Sequence, residues 1–127
     1  MTQHHGVLNN LLNQFVKQVQ ILCGNSLYVE KLMGQRWGVY KYPGHKGNIC
    51  NIIERPRRDT DFPHCPLPHL KIVTGNALAQ KAGVKPDLVI PERWHGRDTA
   101  YWYISTPNNA QFTRVAGEIS KLYPYVK

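Results

Sequence analysis

The chain has 127 residues and a mass of 14.6 kDa, room for one hydrophobic core but not for two independent ones. Hydrophobic residues make up 42% and charged residues 19%, which argues against a disordered chain, and no apolar run reaches the roughly 18 residues that would span a bilayer. Sixteen Lys and Arg against eight Asp and Glu give a net charge of +8, which excludes an acidic mimic of DNA and fits a polyanionic partner.

The N-terminal residues show no charged stretch leading into an apolar one, so no secretory signal is expected. Cys23, Cys50 and Cys65 are odd in number, far apart and form no C-x-x-C, so they read as thiols of a reducing, cytoplasmic compartment. Cys23 and Cys50 have apolar neighbours and are expected in the core.

The clearest periodicity opens the chain. Leu8, Leu12, Phe15, Val19 and Leu22 recur at helical steps, widened by Val7, Leu11 and Val16. The spacing predicts an amphipathic helix over 7–22, stopped by Gly24 and Asn25, which tolerate the left-handed cap conformation. Its outer face is rich in uncharged amides, with Lys17 as the one charge.

Residues 28–32 fit either a strand or a helical turn. Residues 37–42 alternate with β-favouring types and predict a strand, followed by a turn at Pro43, Gly44 and Gly47. Ile49 to Ile53 and Leu70 to Thr74 predict two more strands. Between them lies a Pro-rich loop, Pro56 to Pro68, long enough for a binding role. A short helix over 77–82 is closed by Gly83 and blocked by Pro86. Residues 101–104 predict a strand, and Thr106-Pro107 reads as the cap and first position of a last helix with Phe112, Val115, Ile119 and Leu122 inward. The expected architecture is a single α+β domain over 1–127, mostly antiparallel, with helices at both ends and the order α-β-β-β-α-β-α.

Four stretches of the C-terminal half carry a resemblance: Gly83-Val84-Lys85-Pro86, Trp94-His95, Tyr101-Trp102-Tyr103 and Leu122-Tyr123-Pro124-Tyr125-Val126. Over residues 77–126 the chain resembles the YjbR-type small domains. That resemblance implies a compact α+β fold and a DNA-binding role of the kind suggested for that family. It brings no catalytic residues. The Pro-rich loop and Pro124 depart from the family pattern.

The basic residues fall in groups. Arg36, Lys41 and Lys46 surround the first hairpin; Arg55, Arg57 and Arg58 leave the second strand; Arg93 and Arg97 flank Trp94-His95. A guanidinium donates two parallel hydrogen bonds to phosphate, and Trp94, Tyr40, Tyr42 and Tyr101 offer stacking faces for unpaired bases. These residues are the candidate nucleic-acid site. The competing reading is that Glu54, Asp59, Asp61 and Glu92 neutralise the arginines locally.

His64, Cys65 and His69 with Cys50 make a poor zinc set, because adjacent His64 and Cys65 do not readily face one ion, and neither a metal nor another cofactor is expected. His64, His69 and His95 with Arg58 or Arg97 would serve a metal-independent ribonuclease only if they converged. His45 and the His4-His5 pair read as turn and terminal residues. Asp87 and Glu92 lack the spaced Lys of a metal-dependent nuclease, and no Gly-rich phosphate loop or nucleophile elbow is present. The leading expectation is a basic, non-enzymatic module contacting nucleic acid. One alternative is a protein-interaction or inhibitor module of phage or mobile-element origin, docking on an acidic partner. A second is the small ribonuclease.

Overall fold

A computed structural model describes residues 3–105 and 109–127, with the side chains of residues 3–5 excepted. The described residues form three α-helices and six strands. They run α1 (Gln3–Cys23), β1 (Tyr28–Lys31), β2 (Arg36–Tyr40), β3 (Asn48–Arg55), β4 (His69–Gly75), α2 (Asn76–Ala82), β5 (Leu88–Trp94), β6 (Arg97–Ser105) and α3 (Asn109–Leu122). A 3-10 turn, Tyr123–Tyr125, follows at the Pro124 that ends the last helix. No helix among the described residues is long and apolar enough to cross a membrane.

All strand pairs are antiparallel, in the order β1-β2-β3-β4-β6-β5. The first four strands form a meander. The chain then leaves the sheet through α2, returns at the outer edge as β5, and folds back so that β6 fills the slot beside β4. Gly83 makes this departure possible: it takes φ 72°, a left-handed conformation open to glycine, and its N–H and that of Val84 bond to the carbonyls of Gln80 and Ala79.

The sheet is asymmetric. Successive strand residues face opposite sides, and the register puts Ile52, Ile72 and Trp102 in one row. That face, with Cys50, Leu70, Ala100 and Ile104, is buried against Leu8, Leu11, Leu12, Phe15, Val16 and Val19 of α1 and Val115, Ile119 and Leu122 of α3. Phe15 meets Phe112 edge-on at 5.9 Å. An irregularity where Val39 pairs Cys50 but Tyr40 pairs Asn48 leaves Ile49 unpaired with β2, and both Ile49 and Cys50 are buried. The opposite face carries Asn51, Ile53, Arg55, His69, Lys71, Val73, Tyr101 and Tyr103, and among the described residues no helix packs on it.

The α+β class, the antiparallel sheet and the helices at both ends are as expected. The structure adds β1 and β5 to the predicted order. Helix α1 begins before residue 7, so His4 and His5 lie in its first turn, not in a tail. Val7 and Leu22 are exposed, and Cys23 is half-buried at the helix end instead of in the core. The second strand stops at Tyr40, leaving Lys41 and Tyr42 in the turn. The expected cap, Thr106-Pro107, lies outside the described residues.

Polar contacts help anchor α3 to the sheet: Gln111 Nε2 donates to the Tyr103 carbonyl at 2.8 Å, and a second bond is buried. The Trp102 indole is fully buried and donates its N–H to Glu118 Oε1 at 2.7 Å. Glu118 also holds Arg114, which in turn reaches Asp87. Replacing Glu118 by Ala strands a buried donor, and should cost about 1–3 kcal/mol in urea unfolding, while Glu118→Gln, which keeps the acceptor, should cost distinctly less.

Candidate functional site

The helix-free face has two halves. The first is roofed by the Pro-rich loop. Asp59 and Asp61 on the loop are two residues apart, and so are His69 and Lys71 on β4, whose side chains therefore share a face. The two pairs interlock. Asp59 accepts from His69 Nε2 at 2.9 Å and from Lys71 Nζ at 2.9 Å. Asp61 accepts from Lys71 Nζ at 2.8 Å and from both terminal nitrogens of Arg93, at 3.0 and 3.2 Å. Arg93 also donates to the Tyr101 hydroxyl at 3.1 Å. Basic and acidic side chains thus alternate in the order His69, Asp59, Lys71, Asp61, Arg93.

Almost all of this ladder is dry. The side chains of Asp59 and His69 are fully inaccessible, and that of Lys71 nearly so. Burial alone would raise the Asp59 carboxyl, yet hydrogen bonds from His69, Lys71 and the Asp61 N–H, with the Lys71 charge, hold it below its ordinary value. Hydrogen bonding from Arg93, working against burial, lowers Asp61 to about 2, with Lys71 assisting. Phe62 packs beside the ladder, its ring 6.2 Å from His69 and 5.2 Å from Tyr103.

The second half is an open cleft of about 590 Å³. Its polar lining comes from Asn48 and Asn51 of β3, Thr99 and Tyr101 of β6, and Asp98; Arg36 of β2, Arg93 and Trp94 of β5, and Arg97 of β6 supply cations and an aromatic ring. Local backbone geometry places the last three. Between the pairs Ile90–Thr99 and Trp94–Arg97, residues Pro91, Glu92 and Arg93 stand opposite Asp98 alone. Such a bulge re-aims side chains, and here it sends Arg93 over the sheet toward Asp61. Glu92 takes φ 52° within the bulge, and Asp98 Oδ1 accepts its N–H at 3.1 Å. His95 and Gly96, with φ 50° and 73°, then make the two-residue turn that sets Trp94 directly opposite Arg97.

Of the predicted nucleic-acid residues, the structure brings Arg36, Arg93, Trp94 and Arg97 to this cleft. Arg55 projects from the same face, two residues beyond Ile53, and its Nε donates to the Arg58 carbonyl at 2.9 Å. Arg57 and Arg58 are exposed on the loop, and Lys46 on the turn before β3. Lys41 lies elsewhere, its Nζ 4.5 Å from the centre of the Tyr123 ring. The acids do not neutralise the arginines as a set. Asp59 is taken by His69 and Lys71, Asp61 pairs with Arg93 alone among the arginines, and Glu54 is buried with Oε2 unpartnered. Among the described residues, Arg36 and Arg97 have no ion-pair partner.

The other sequence candidates separate. Cys50 faces the helices, where burial pushes its thiol up to about 12, whereas His69 is on the opposite face of the sheet. Both His69 ring nitrogens are engaged, one with Asp59 and one with the Pro66 carbonyl, each at 2.9 Å, so neither faces open space where a substrate could reach it. Tyr101 is buried beneath Lys71 and Arg93, which lie 5.3 and 5.5 Å from its ring centre, and offers no stacking face. Sequence reading passed over Lys71, Asn48 and Asn51. The matched two-residue spacing of Asp-x-Asp and His-x-Lys was the signal for the first. No protein-family model, curated protein or solved structure matches this chain.

Asp59→Ala leaves the buried Lys71 with Asp61 alone and His69 Nε2 with no acceptor, and should destabilise the fold by about 3–5 kcal/mol in chemical denaturation. A carboxyl held below its ordinary value contributes stability that is present at neutral pH and disappears on acidification. For Asp61 the loss should fall between pH 3.8 and about 2, and an Asp61→Asn variant followed by circular dichroism should lack that part of the acid transition.

Proposed function

We propose that this protein binds nucleic acid on the helix-free face of its sheet, with phosphates held in the cleft beside Trp94. The observation that carries this reading is a convergence. Arg36, Arg93 and Arg97 come from three different strands and line one cleft with an exposed tryptophan, in a chain of net charge +8. Isolated surface arginines would be expected to scatter. Arginines directed into one concavity, two of them without ion-pair partners among the described residues, make a site where an anion replaces solvent as their partner.

Arg55 extends the positive face past the cleft, and Arg57 and Arg58 continue it along the loop edge. A phosphate chain running from the hairpin toward the loop would meet guanidinium groups along its length. The resemblance of residues 77–126 to YjbR-type domains, with their suggested DNA-binding role, points the same way. The chemistry required is binding alone, since the one buried histidine of this face has both nitrogens committed.

The test is binding of labelled DNA and RNA oligonucleotides at low and moderate salt. Wild-type protein should bind at low salt, with affinity falling steeply as salt rises. The double variant Arg36→Ala, Arg97→Ala should lose at least tenfold in affinity and roughly 1.4 to 1.8 from the salt slope, about 0.7 for each phosphate contact removed on a single strand and about 0.9 on a duplex. Absence of any binding at low salt would overturn the proposal.

A further inference from the structure

The geometry points to a single strand, not a duplex, as the occupant of the cleft, with one unpaired base stacked on Trp94 and its neighbouring phosphates on Arg36 and Arg97. This inference rests on the nucleic-acid reading above and narrows it.

Three features separate a single strand from a duplex. The first is Trp94. It is 60% exposed, although a large apolar ring is ordinarily placed where it is covered. It sits on a tight two-residue turn, pinned by its pairing with Arg97, so its position is set by the backbone. The His95 ring meets the indole edge-on at 4.9 Å, and the part that stays exposed is a platform for the π-face of any base. A paired base inside a duplex has both faces covered by its neighbours and cannot reach it.

The second is the shape of the site. The cationic groups line a concavity of about 590 Å³, within the range of pockets that enclose ligands of nucleotide size. A duplex presents its phosphates on a convex surface, which would leave most of this concavity unfilled. A single strand can turn one nucleotide into it.

The third is the uncharged part of the lining. Asn48 Nδ2 donates to Asn51 Oδ1 at 2.6 Å. This bond leaves the Asn51 amide N–H groups and the Asn48 carbonyl without a side-chain partner among the described residues. A neighbouring donor and acceptor suit the edge of a base, which presents both, better than a phosphate, which only accepts. Arg93 is already committed to Asp61 through two hydrogen bonds, so the phosphates fall to Arg36 and Arg97.

The experiment compares 12-nucleotide single strands, oligo(dT) and oligo(U), with a 12-base-pair DNA duplex by fluorescence anisotropy, using the full chain and the variants Trp94→Ala and Trp94→Phe. Trp94 is a surface residue, and unchanged thermal unfolding of each variant verifies that it folds. Single strands should bind the wild type at least tenfold tighter than the duplex. Trp94→Ala should weaken single-strand binding at least fivefold, with Trp94→Phe retaining most of the affinity. The salt slope should be the same for wild type and Trp94→Ala, because stacking releases no counterions. Duplex binding as tight as single-strand binding, or single-strand affinity untouched by Trp94→Ala, would overturn this inference and leave nucleic-acid binding standing. No binding of any oligonucleotide would overturn both.

Discussion

Asp59 is a carboxylate with no access to water, and an unpaired ion in that position would cost several kcal/mol. It is tolerated because two donors on one strand, His69 and Lys71, meet its two oxygens. Much of the open face depends on this arrangement. Asp59 fixes the loop on β4. The fixed loop brings Asp61 to the far side of Lys71, and Asp61 in turn receives Arg93 from the edge strand. The 13 residues between β3 and β4 are therefore held by charge pairing and by Phe62, with little apolar area of their own to bury. Pro63, Pro66 and Pro68 lower the entropy lost in ordering them.

The two faces of the sheet solve different problems. One is apolar and sealed by α1, α2 and α3, and it supplies the hydrophobic stabilisation of the domain. The other carries most of the chemistry but no helix. Half of it is closed by pairing nearly every charge internally. In the other half, Arg36 and Arg97 face the cleft with Asp98 as the nearby acid, and its carboxylate accepts the Glu92 N–H. On this face two carboxylates, Asp59 and Asp61, anchor the loop, and one, Asp98, lines the cleft. This distribution, more than the net charge, is why a +8 chain acquires a localised cationic cleft.

The helices and the inner strands were legible because their signals are local. Steps of three and four along α1 and α3, and Gly83 after α2, state their own geometry. The edge strands were not. β1 has four residues and half-buried positions, so its periodicity is short, while β5 contains Pro91 and a bulge that breaks alternation. Arg36, Arg93, Trp94 and Arg97 could be nominated from composition, but their meeting depends on β6 inserting beside β4, a long-range event that no window of sequence reports. Lys41 is near Arg36 in sequence, yet β2 ends at Tyr40 and the Lys41 Nζ lies over the Tyr123 ring. The ladder itself was half visible. Asp59 and Asp61 adjoin Arg57 and Arg58 in sequence, yet both acids reach Lys71 on β4, and the arginine that Asp61 pairs with is Arg93, from the far edge of the sheet.

Arg93 belongs to both halves of the face, and its allegiance follows from geometry. Its two terminal nitrogens meet the two oxygens of Asp61, the bidentate arrangement that makes a guanidinium–carboxylate pair strong, and its Tyr101 bond adds a third anchor. An anion entering the cleft would have to replace all three to capture it outright, and would leave a partly buried Asp61 relying on Lys71 alone. Arg36 and Arg97 impose no such cost, since neither has an ion-pair partner among the described residues. The cleft therefore offers two readily available cations and one structural one. The division fits a site that recognises a few phosphates on a flexible strand, where a modest number of contacts is supplemented by an aromatic surface, better than a site that grips the dense charge of a rigid helix.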